Sequence, residues 1–314
     1  MISFGPVPSR RLGKSLGINN IVSPKTCSYS CVYCQVGRTR VKSAQRSSFY
    51  KPELIYEKVT RHLEKLADQD YPDYLTFVSN GEPTLDANLG KSINLLKKTG
   101  LPVAVISNAS MLFYESARDD LSLADWISLK MDASASPLWR KVNKPSPELN
   151  FRKHINGIIK FSSMYSGTLN TETMVVRDLN DTTENFNGLA DIISEVNPST
   201  AYLSVPTRPP AEKTVRPPDS EKLNLAWNIF NERNIKTELL TGFEGTDAGY
   251  TGNIYEDILN ITAVHPIRED TMAGLLEKDK AYKKVFESLI RQRLISETTF
   301  RGKKFYIREY NMNI

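Results

Sequence analysis

Apolar, β-branched segments alternate along this chain with amphipathic segments of helical periodicity. In residues 52–67 the apolar side chains recur at spacings of three and four, which places Ile55, Val59, Leu63 and Leu66 on one side. This spacing is typical of a helix with one buried face. By the same reasoning, strands are predicted at 16–22, 74–78, 102–106, 126–130, 168–177 and 201–205. Helices are predicted at 52–67, 87–99, 111–119, 149–163, 182–195 and 219–233.

This alternation of strands and helices predicts an α/β fold. Parallel strands need helical crossovers, so the repeats indicate a partial (β/α)6 TIM-like barrel over residues 1–240. In such a barrel, the loops that follow the carboxyl ends of the strands form the active face. A proline-rich stretch at 206–218 is predicted to pass over the barrel mouth.

The last part of the chain predicts a separate winged-helix-like domain at 267–314, joined to the barrel by a linker at 241–266. Its predicted elements are two helices and two strands, at about 267–278, 280–293, 294–300 and 304–309. The strands turn at Arg301-Gly302-Lys303, a hairpin signal. Winged helices often bind nucleic acid, and a basic turn suits that role. The alternative is a lid or protein-interaction domain with a solvated basic edge.

Composition and charge narrow the class of protein. The 314 residues are 40% hydrophobic, enough for one large core and a small additional domain. No apolar run is long enough to cross a bilayer, and the first residues lack a secretory pattern, so a cytoplasmic protein is predicted. The net charge is +5, yet residues 1–50 carry eight Lys or Arg and no Asp or Glu. This imbalance predicts an anionic partner near that segment, with ordinary surface charge as the alternative.

The three cysteines of the chain lie within eight residues, in Cys27-Ser28-Tyr29-Ser30-Cys31-Val32-Tyr33-Cys34. An odd number so closely spaced does not make a disulfide framework. Structural zinc normally needs four ligands, and no histidine has a ligand-like spacing nearby. Thiolates are the ligands of iron–sulfur clusters, and three of them on a four-iron cluster leave one iron open.

This C-x3-C-x2-C segment resembles the signature of the radical S-adenosylmethionine (SAM) superfamily. The resemblance implies that Cys27, Cys31 and Cys34 hold a [4Fe–4S] cluster whose open iron chelates SAM. It also implies reductive cleavage of SAM to a 5′-deoxyadenosyl radical, which abstracts hydrogen from a substrate. Tyr33, the aromatic residue before the last cysteine, is implied to lie beside the adenine.

Further loops continue the resemblance and supply the other predicted cofactor contacts. Gly81 and Glu82, after the second strand, resemble the motif that binds the SAM amino group. Ser107 and Asn108, after the third strand, resemble the polar loop that meets the ribose. At the end of the fourth strand, Lys130 is predicted to pair with the SAM carboxylate. Asp132 follows it and is predicted to contact substrate or to orient Lys130.

The substrate class is the least specific part of the prediction. Two segments resemble one group within the superfamily: the start of the chain, with Ser9, Arg10 and Arg11, and the Gly-Glu-Pro-Thr sequence. That group is similar to wyosine-type tRNA-modification and glycyl-radical-activating enzymes. The three residues at the start are predicted to bind an anionic substrate near the cluster, or to form a solvated basic turn. Modification of an RNA, most simply a tRNA, is the first hypothesis. The wyosine reaction itself is disfavoured, because similar enzymes use further cysteines for a second cluster.

Two other functions stay open from the sequence. The first is modification of a protein or peptide, such as glycyl-radical activation. The second is a non-enzymatic iron–sulfur regulator with a winged helix, against which the predicted SAM loops argue. For an enzyme, the electron must come from outside the chain, and an acidic donor of the flavodoxin or ferredoxin type is predicted to dock beside Arg38, Arg40 and Lys42. No membrane partner is predicted.

Overall fold

The computed structural model describes residues 2–278 and 284–309. Predicted tail segments at 280–283 and 310–314 lie outside the described residues. The strands of the described part are β1 (Ser3–Ser9), β2 (Gly13–Ile18), β3 (Thr26–Cys27), β4 (Val41–Lys42), β5 (Tyr74–Phe77), β6 (Val103–Ser107), β7 (Trp126–Lys130), β8 (Thr168–Met174), β9 (Thr200–Ser204), β10 (Thr237–Leu240), β11 (Ile267–Arg268), β12 (Ile295–Phe300) and β13 (Lys303–Arg308).

The helices connect these strands in the order that the sequence predicts. Those of the described part are α1 (Pro52–Leu63), α2 (Leu89–Leu96), α3 (Glu115–Ser122), α4 (Ser136–Val142), α5 (Phe151–Met164), α6 (Thr183–Val196), α7 (Ser220–Glu232), α8 (Ile254–Thr262), α9 (Glu269–Lys278) and α10 (Lys284–Arg291). Local signals set their starts: Pro52 opens α1, and the Thr182 side chain accepts a hydrogen bond from the Asn185 amide at α6.

The main sheet has eight strands in the order β1-β2-β5-β6-β7-β8-β9-β10. All neighbours from β2 to β10 are parallel, whereas β1 is antiparallel to β2. The predicted parallel α/β architecture is therefore confirmed. Strand β10 adds a seventh parallel strand to the predicted six, and the hairpin partner β1 was not predicted.

The two faces of the sheet differ in chemistry. Alternate residues such as Leu75, Val105 and Ile127 are buried against the surrounding helices and form the large apolar core. The other face carries Trp126, Tyr202, polar side chains and charged side chains. Side chains alternate between the faces of a strand. The concave inner face of the sheet is therefore the polar one. A polar inner face suits an interior that receives a polar ligand.

One side of the sheet is closed by an arginine rather than by strand pairing. Arg10, in the β1–β2 turn, donates to the carbonyl oxygens of Leu240 (2.5 Å) and Gly242 (3.0 Å) beyond β10. It also pairs with Glu244 at 3.3 Å. Since β1 and β10 are the two edge strands, these contacts join the edges of the open barrel.

Residues 254–278 and 284–309 form a small unit, called here the C-terminal unit. Helix α8, strand β11, helices α9 and α10, and the β12–β13 hairpin build it around a three-stranded sheet of order β11-β13-β12. The hairpin turns at Arg301 and Gly302, whose φ angles of 51° and 70° match a two-residue hairpin turn. Helix α8 lies within the range predicted as a linker, and its Ile258 shares an apolar core with Phe4 of β1.

No helix in the described ranges combines the length and apolar character needed to cross a membrane.

Candidate active site at the carboxyl ends of the strands

The predicted cofactor residues come together at one end of the sheet. The cysteine loop follows β2, and the loops after β5, β6 and β7 carry Glu82, Asn108 and Asp132. Adjacent parallel strands end at the same edge, so these loops are neighbours. Contacts link them directly: Asn108 Nδ2 lies 3.7 Å from Cys27 Sγ, and Tyr33 donates a short hydrogen bond to Asp132.

The three cysteines are free, and each sulfur faces a nitrogen donor from a different element. Lys25 Nζ lies 3.0 Å from Cys34 Sγ, and Asn143 Nδ2 lies 3.5 Å from Cys31 Sγ. The side-chain amide nitrogen of Asn108 contacts Cys27 Sγ. Such donors stabilise negative charge on sulfur, as the thiolates of an iron–sulfur cluster require.

Burial disfavours ionisation of two of these thiols, Cys27 and Cys31. It raises the pKa of the Cys27 thiol to about 12, against the opposing effect of Lys25. Burial and the neighbouring Cys34 also raise the pKa of Cys31. Thiolates in this loop therefore need further positive charge beside them, which bound iron supplies.

The three thiols suit the ligand requirement of a four-iron cluster. Across the described part of the chain, no three His, Cys, Asp or Glu side chains gather closely enough to hold one metal ion. A four-iron cluster makes a different demand, because each thiolate binds a separate iron. Three free thiols on one loop, each with a nitrogen donor, meet that demand.

Glu82 is fully enclosed and organises the loop after β6. Its Oε1 accepts hydrogen bonds from the hydroxyls of Ser107 and Thr84, both at 2.6 Å. Its Oε2 accepts a hydrogen bond from the backbone amide of Asn108 at 2.7 Å. Burial raises the pKa of Glu82, although these three donors oppose the shift. The predicted cofactor residues Glu82, Ser107 and Asn108 therefore form one hydrogen-bonded group.

Gly81 lets this group lie against the cysteine loop. A β-carbon at this position would lie 1.8 Å from the Thr26 carbonyl oxygen. The Glu82 amide meets the same oxygen at 3.4 Å. The close approach of these two loops explains why a glycine stands here.

Asp132 makes hydrogen bonds to three other parts of the site. Its Oδ2 accepts from Tyr33 and from Asn143 Nδ2 (2.6 Å), and its Oδ1 accepts from the Met174 amide (2.8 Å). Burial raises the pKa of Asp132, and Lys130 opposes the shift. Asp132 thus holds the Tyr33 side chain in place.

Lys130 is paired within the chain. Its Nζ lies 2.5 Å from Glu172 Oε1, and Arg11 makes a short ion pair with the other oxygen of Glu172. Burial opposes ionisation of Glu172, but Arg11 and Lys130 together hold its pKa well below the usual range. The Lys130 Nζ also lies 6.0 Å from the centre of the Tyr33 ring. Lys130 therefore connects the cysteine loop to a buried charged group inside the barrel.

The two arginines of the basic turn at the start of the chain form ion pairs within the chain. Arg11 faces the barrel interior and pairs with Glu172, and Arg10 pairs with Glu244. Neither arginine is a solvated side chain, and both are engaged by carboxylates of this chain. The predicted docking residues Arg38, Arg40 and Lys42 are exposed beside the cysteine loop.

Several site residues were not predicted. Lys25 stands two positions before Cys27, and a lysine so close to the motif was the available signal. Glu172 is the one charged residue within strand β8, which was a second signal. Asn143 follows a helix and has no distinguishing sequence context. The proline-rich stretch, which was predicted to pass over the barrel mouth, contacts the cysteine loop: the Glu212 backbone amide donates to the Val32 carbonyl oxygen at 3.0 Å.

This chain is similar in sequence and in fold to known proteins. Residues 21–188 match the radical SAM superfamily. UPF0026 protein MJ1312 of Methanocaldococcus jannaschii is 43% identical over 309 residues, which cover 98% of this chain and 96% of that protein. The structure of TYW1 with a lysine–pyruvate adduct bound has a TM-score of 0.53 at 17% identity, over 70% of this chain and 75% of that chain. The structure of Streptococcus suis SuiB bound to precursor peptide SuiA has a TM-score of 0.54 at 11% identity. The match covers 72% of this chain and 48% of that chain. At these identities the two structures show a shared fold.

Proposed function

The chain belongs to the radical SAM superfamily, and from that premise we propose that it is an RNA-modifying enzyme whose cluster is held by Cys27, Cys31 and Cys34. When bound, the reduced cluster supplies the electron that cleaves SAM, and the radical so released takes a hydrogen atom from the substrate. The observation that carries the cluster assignment is the set of three free thiols, each facing its own nitrogen donor.

The side chains around the thiols bind and orient the cofactor in this proposal. Glu82, with Gly81, receives the amino group of SAM, and Ser107 and Asn108 meet the ribose. Tyr33 is held by Asp132 in a position to contact the adenine. Lys130 offers positive charge to the SAM carboxylate, in exchange for part of its contact with Glu172. The buried loops exclude water from these groups.

Basic surfaces support RNA as the substrate. The first fifty residues contain no acidic side chain, and Arg38, Arg40 and Lys42 are exposed beside the cysteine loop. The C-terminal unit has the element order of a winged helix, with Arg301 and Lys303 exposed on its hairpin turn. Lysines and arginines in such positions attract phosphate backbones. The same exposed basic loop suits an acidic electron donor, which must approach the cluster.

Anaerobic reconstitution with iron, sulfide, reductant and SAM tests the cluster assignment. We expect a four-iron chromophore and formation of 5′-deoxyadenosine, and we expect Cys31→Ala to lose both. Protein that takes up only zinc would refute the assignment.

Addition of unfractionated tRNA tests the substrate class separately. We expect tRNA to stimulate formation of 5′-deoxyadenosine and to acquire a new modified nucleoside, detected by mass spectrometry. Stimulation by a polypeptide and not by tRNA would show that the enzyme acts on protein.

A further inference from the structure

A cleft of about 670 Å³ lies outside the barrel, between α1 and the C-terminal unit. Helix α1 forms one wall, α8 forms the other, and Arg308 at the end of β13 contributes from the hairpin. Asn80 lines the same cleft, directly before Gly81 of the candidate active site. The cleft therefore begins beside the loop that meets the cysteines.

The α1 wall is a row of exposed cations. Lys58 and Arg61 lie on α1, and Lys65 lies in the turn directly after it, at spacings of three and four that keep the three side chains on the same side. Only Arg61 has an ion-pair partner among the described residues, the exposed Glu57 at 3.1 Å. Arg308 likewise pairs with no described carboxylate. The row is therefore positive charge that the described chain leaves largely uncompensated.

The α8 wall offsets only part of this charge. Asp257 lines the cleft, but both of its oxygens accept hydrogen bonds from Thr251, from the amide at 2.9 Å and from the hydroxyl at 2.8 Å. Glu256 is exposed, and it is the other carboxylate of the lining. Four cations thus face two carboxylates, one of them engaged elsewhere.

Two lining residues carry a buried polar atom that has no hydrogen-bond partner among the described residues. They are Asn80, through Oδ1, and Arg308, through Nη1. Asn80 is only 3% exposed. Buried polar groups are almost always paired in native proteins, so atoms of this kind mark a place where a polar ligand completes the structure.

We propose that this cleft binds the phosphodiester backbone of a single-stranded RNA segment. Uncompensated lysines and arginines select phosphate, and amides such as Asn80 and Asn260 suit sugar hydroxyls and base edges. Tyr50 offers an aromatic face for a base. The row of cations along α1 favours a chain of phosphates over a single one. This inference rests on the proposed RNA substrate and specifies where that substrate is held.

Binding of a short, fluorescein-labelled single-stranded RNA to the cluster-loaded protein tests the cleft. Fluorescence anisotropy would compare the wild type with K58E/K65E and with R308Q. We expect the double variant to bind more than tenfold more weakly, because two phosphate contacts become repulsive. Loss of two contacts should also reduce the slope of log affinity against log salt by about 1.4.

The matched control is K153E/K160E on α5. These lysines are exposed, have the same spacing of seven and change the net charge equally. We expect the affinity of this control for RNA to stay within about twofold of the wild type. A change of that size is the effect of net charge alone. Circular dichroism checks the folding of each variant, and R308Q, which removes charge without reversing it, provides the test if the double variant fails to fold.

Three results would overturn the cleft proposal. The first is equal weakening by the cleft and control variants, which would show non-specific attraction. The second is complete displacement of the RNA by an equal concentration of AMP, which would show a mononucleotide site. The third is failure of the wild type to bind RNA. Formation of 5′-deoxyadenosine by the wild type is scored separately, so loss of the cleft proposal is distinguishable from loss of the enzymatic assignment.

Discussion

Gly81 decides how closely two loops of the active site approach each other. Its missing side chain leaves room for the Thr26 carbonyl oxygen, which a β-carbon would meet at 1.8 Å. The neighbouring atom is backbone and belongs to the short strand that ends at Cys27. A rotamer change therefore cannot relieve the clash, and the cysteine loop itself has to move.

Replacement of Gly81 by alanine tests this constraint. We expect Gly81→Ala to lower the free energy of unfolding by about 1–3 kcal/mol, the usual cost of overpacking, and to lower iron loading. Urea denaturation and iron content are the measurements. Gly274→Ala in α9 is the control, since its β-carbon would meet only the Thr246 oxygen at 3.8 Å. That variant should be neutral or slightly stabilised, and equal losses in both would contradict the explanation.

Lys25 is the residue whose charge acts most directly on a cysteine sulfur. It is 8% exposed, and its ammonium group contacts Cys34 Sγ and the Gly37 carbonyl oxygen. A buried positive charge beside a thiolate stabilises the more negative, reduced form of a cluster.

We expect Lys25→Met to shift the cluster reduction potential to more negative values. A redox titration followed by electron paramagnetic resonance measures the shift in protein with full iron content. Lys42→Met, at an exposed position of the same region, should leave the potential near that of the wild type. An unchanged potential in Lys25→Met would show that the lysine serves only to position the loop.

At the scale of elements, His62 joins helix α1 to strand β1. Its Nε2 lies 3.0 Å from the Gly5 carbonyl oxygen, and its Nδ1 lies 2.9 Å from the Ser3 hydroxyl. In the neutral ring, Nε2 donates to this carbonyl and Nδ1 accepts from the hydroxyl. Burial lowers the pKa of His62 to about 4, with Gly5 opposing and Lys65 adding to the shift.

This depressed pKa predicts an acid-sensitive junction between α1 and β1. The unfolded chain takes up a proton on His62 below pH about 6.5, whereas the folded chain does so only near pH 4. Acidification from pH 7 to pH 5 should therefore cost about 2 kcal/mol through this residue. We expect His62→Gln to show a flatter dependence of unfolding free energy on pH by that amount, measured by urea denaturation. A parallel dependence in both proteins would contradict the neutral, buried state.

The predictable elements were those with strong local patterns. Helix α1 and strands β5 to β9 follow from apolar periodicity, and the β12–β13 hairpin follows from the glycine at its turn. Strand β1 contains two prolines and a glycine, so local pattern argues against it, and only pairing with β2 and packing against α8 make it a strand. The cysteine motif and the loop of Glu82 were predictable for the same local reason. Asn143 was not, because a contact with a distant element gives it its role, and Glu172 stood out only as an isolated charge in its strand.

At the scale of the molecule, a buried charged group joins the barrel to the C-terminal unit. Arg208, after β9, contacts Glu244 at 2.8 Å and His265 Nε2 at 2.7 Å, and Arg10 contacts the same glutamate. Burial and Arg208 lower the pKa of His265 well below its usual value, so its neutral ring accepts the hydrogen bond. One carboxylate thus serves two guanidinium groups from separate parts of the chain.

Removal of that carboxylate should be costly. We expect Glu244→Gln to destabilise the protein by about 3–5 kcal/mol, because it leaves buried arginine charge without a counterion. Thermal and urea unfolding measure the loss. Glu238→Gln is the control, since its contact with Lys236 at 3.7 Å is exposed and contributes little. A loss below 1 kcal/mol for Glu244→Gln would show that water replaces the carboxylate.

The arginine that spans the open side of the barrel also affects how separate molecules meet. An edge strand with free carbonyl groups is a template on which another polypeptide can add a strand and start aggregation. Arg10 occupies the Leu240 and Gly242 carbonyl oxygens at the end of β10. An incoming strand would have to displace a guanidinium group that is also paired with Glu244. The side chain that completes the barrel therefore also protects this end of its edge from intermolecular β-sheet growth.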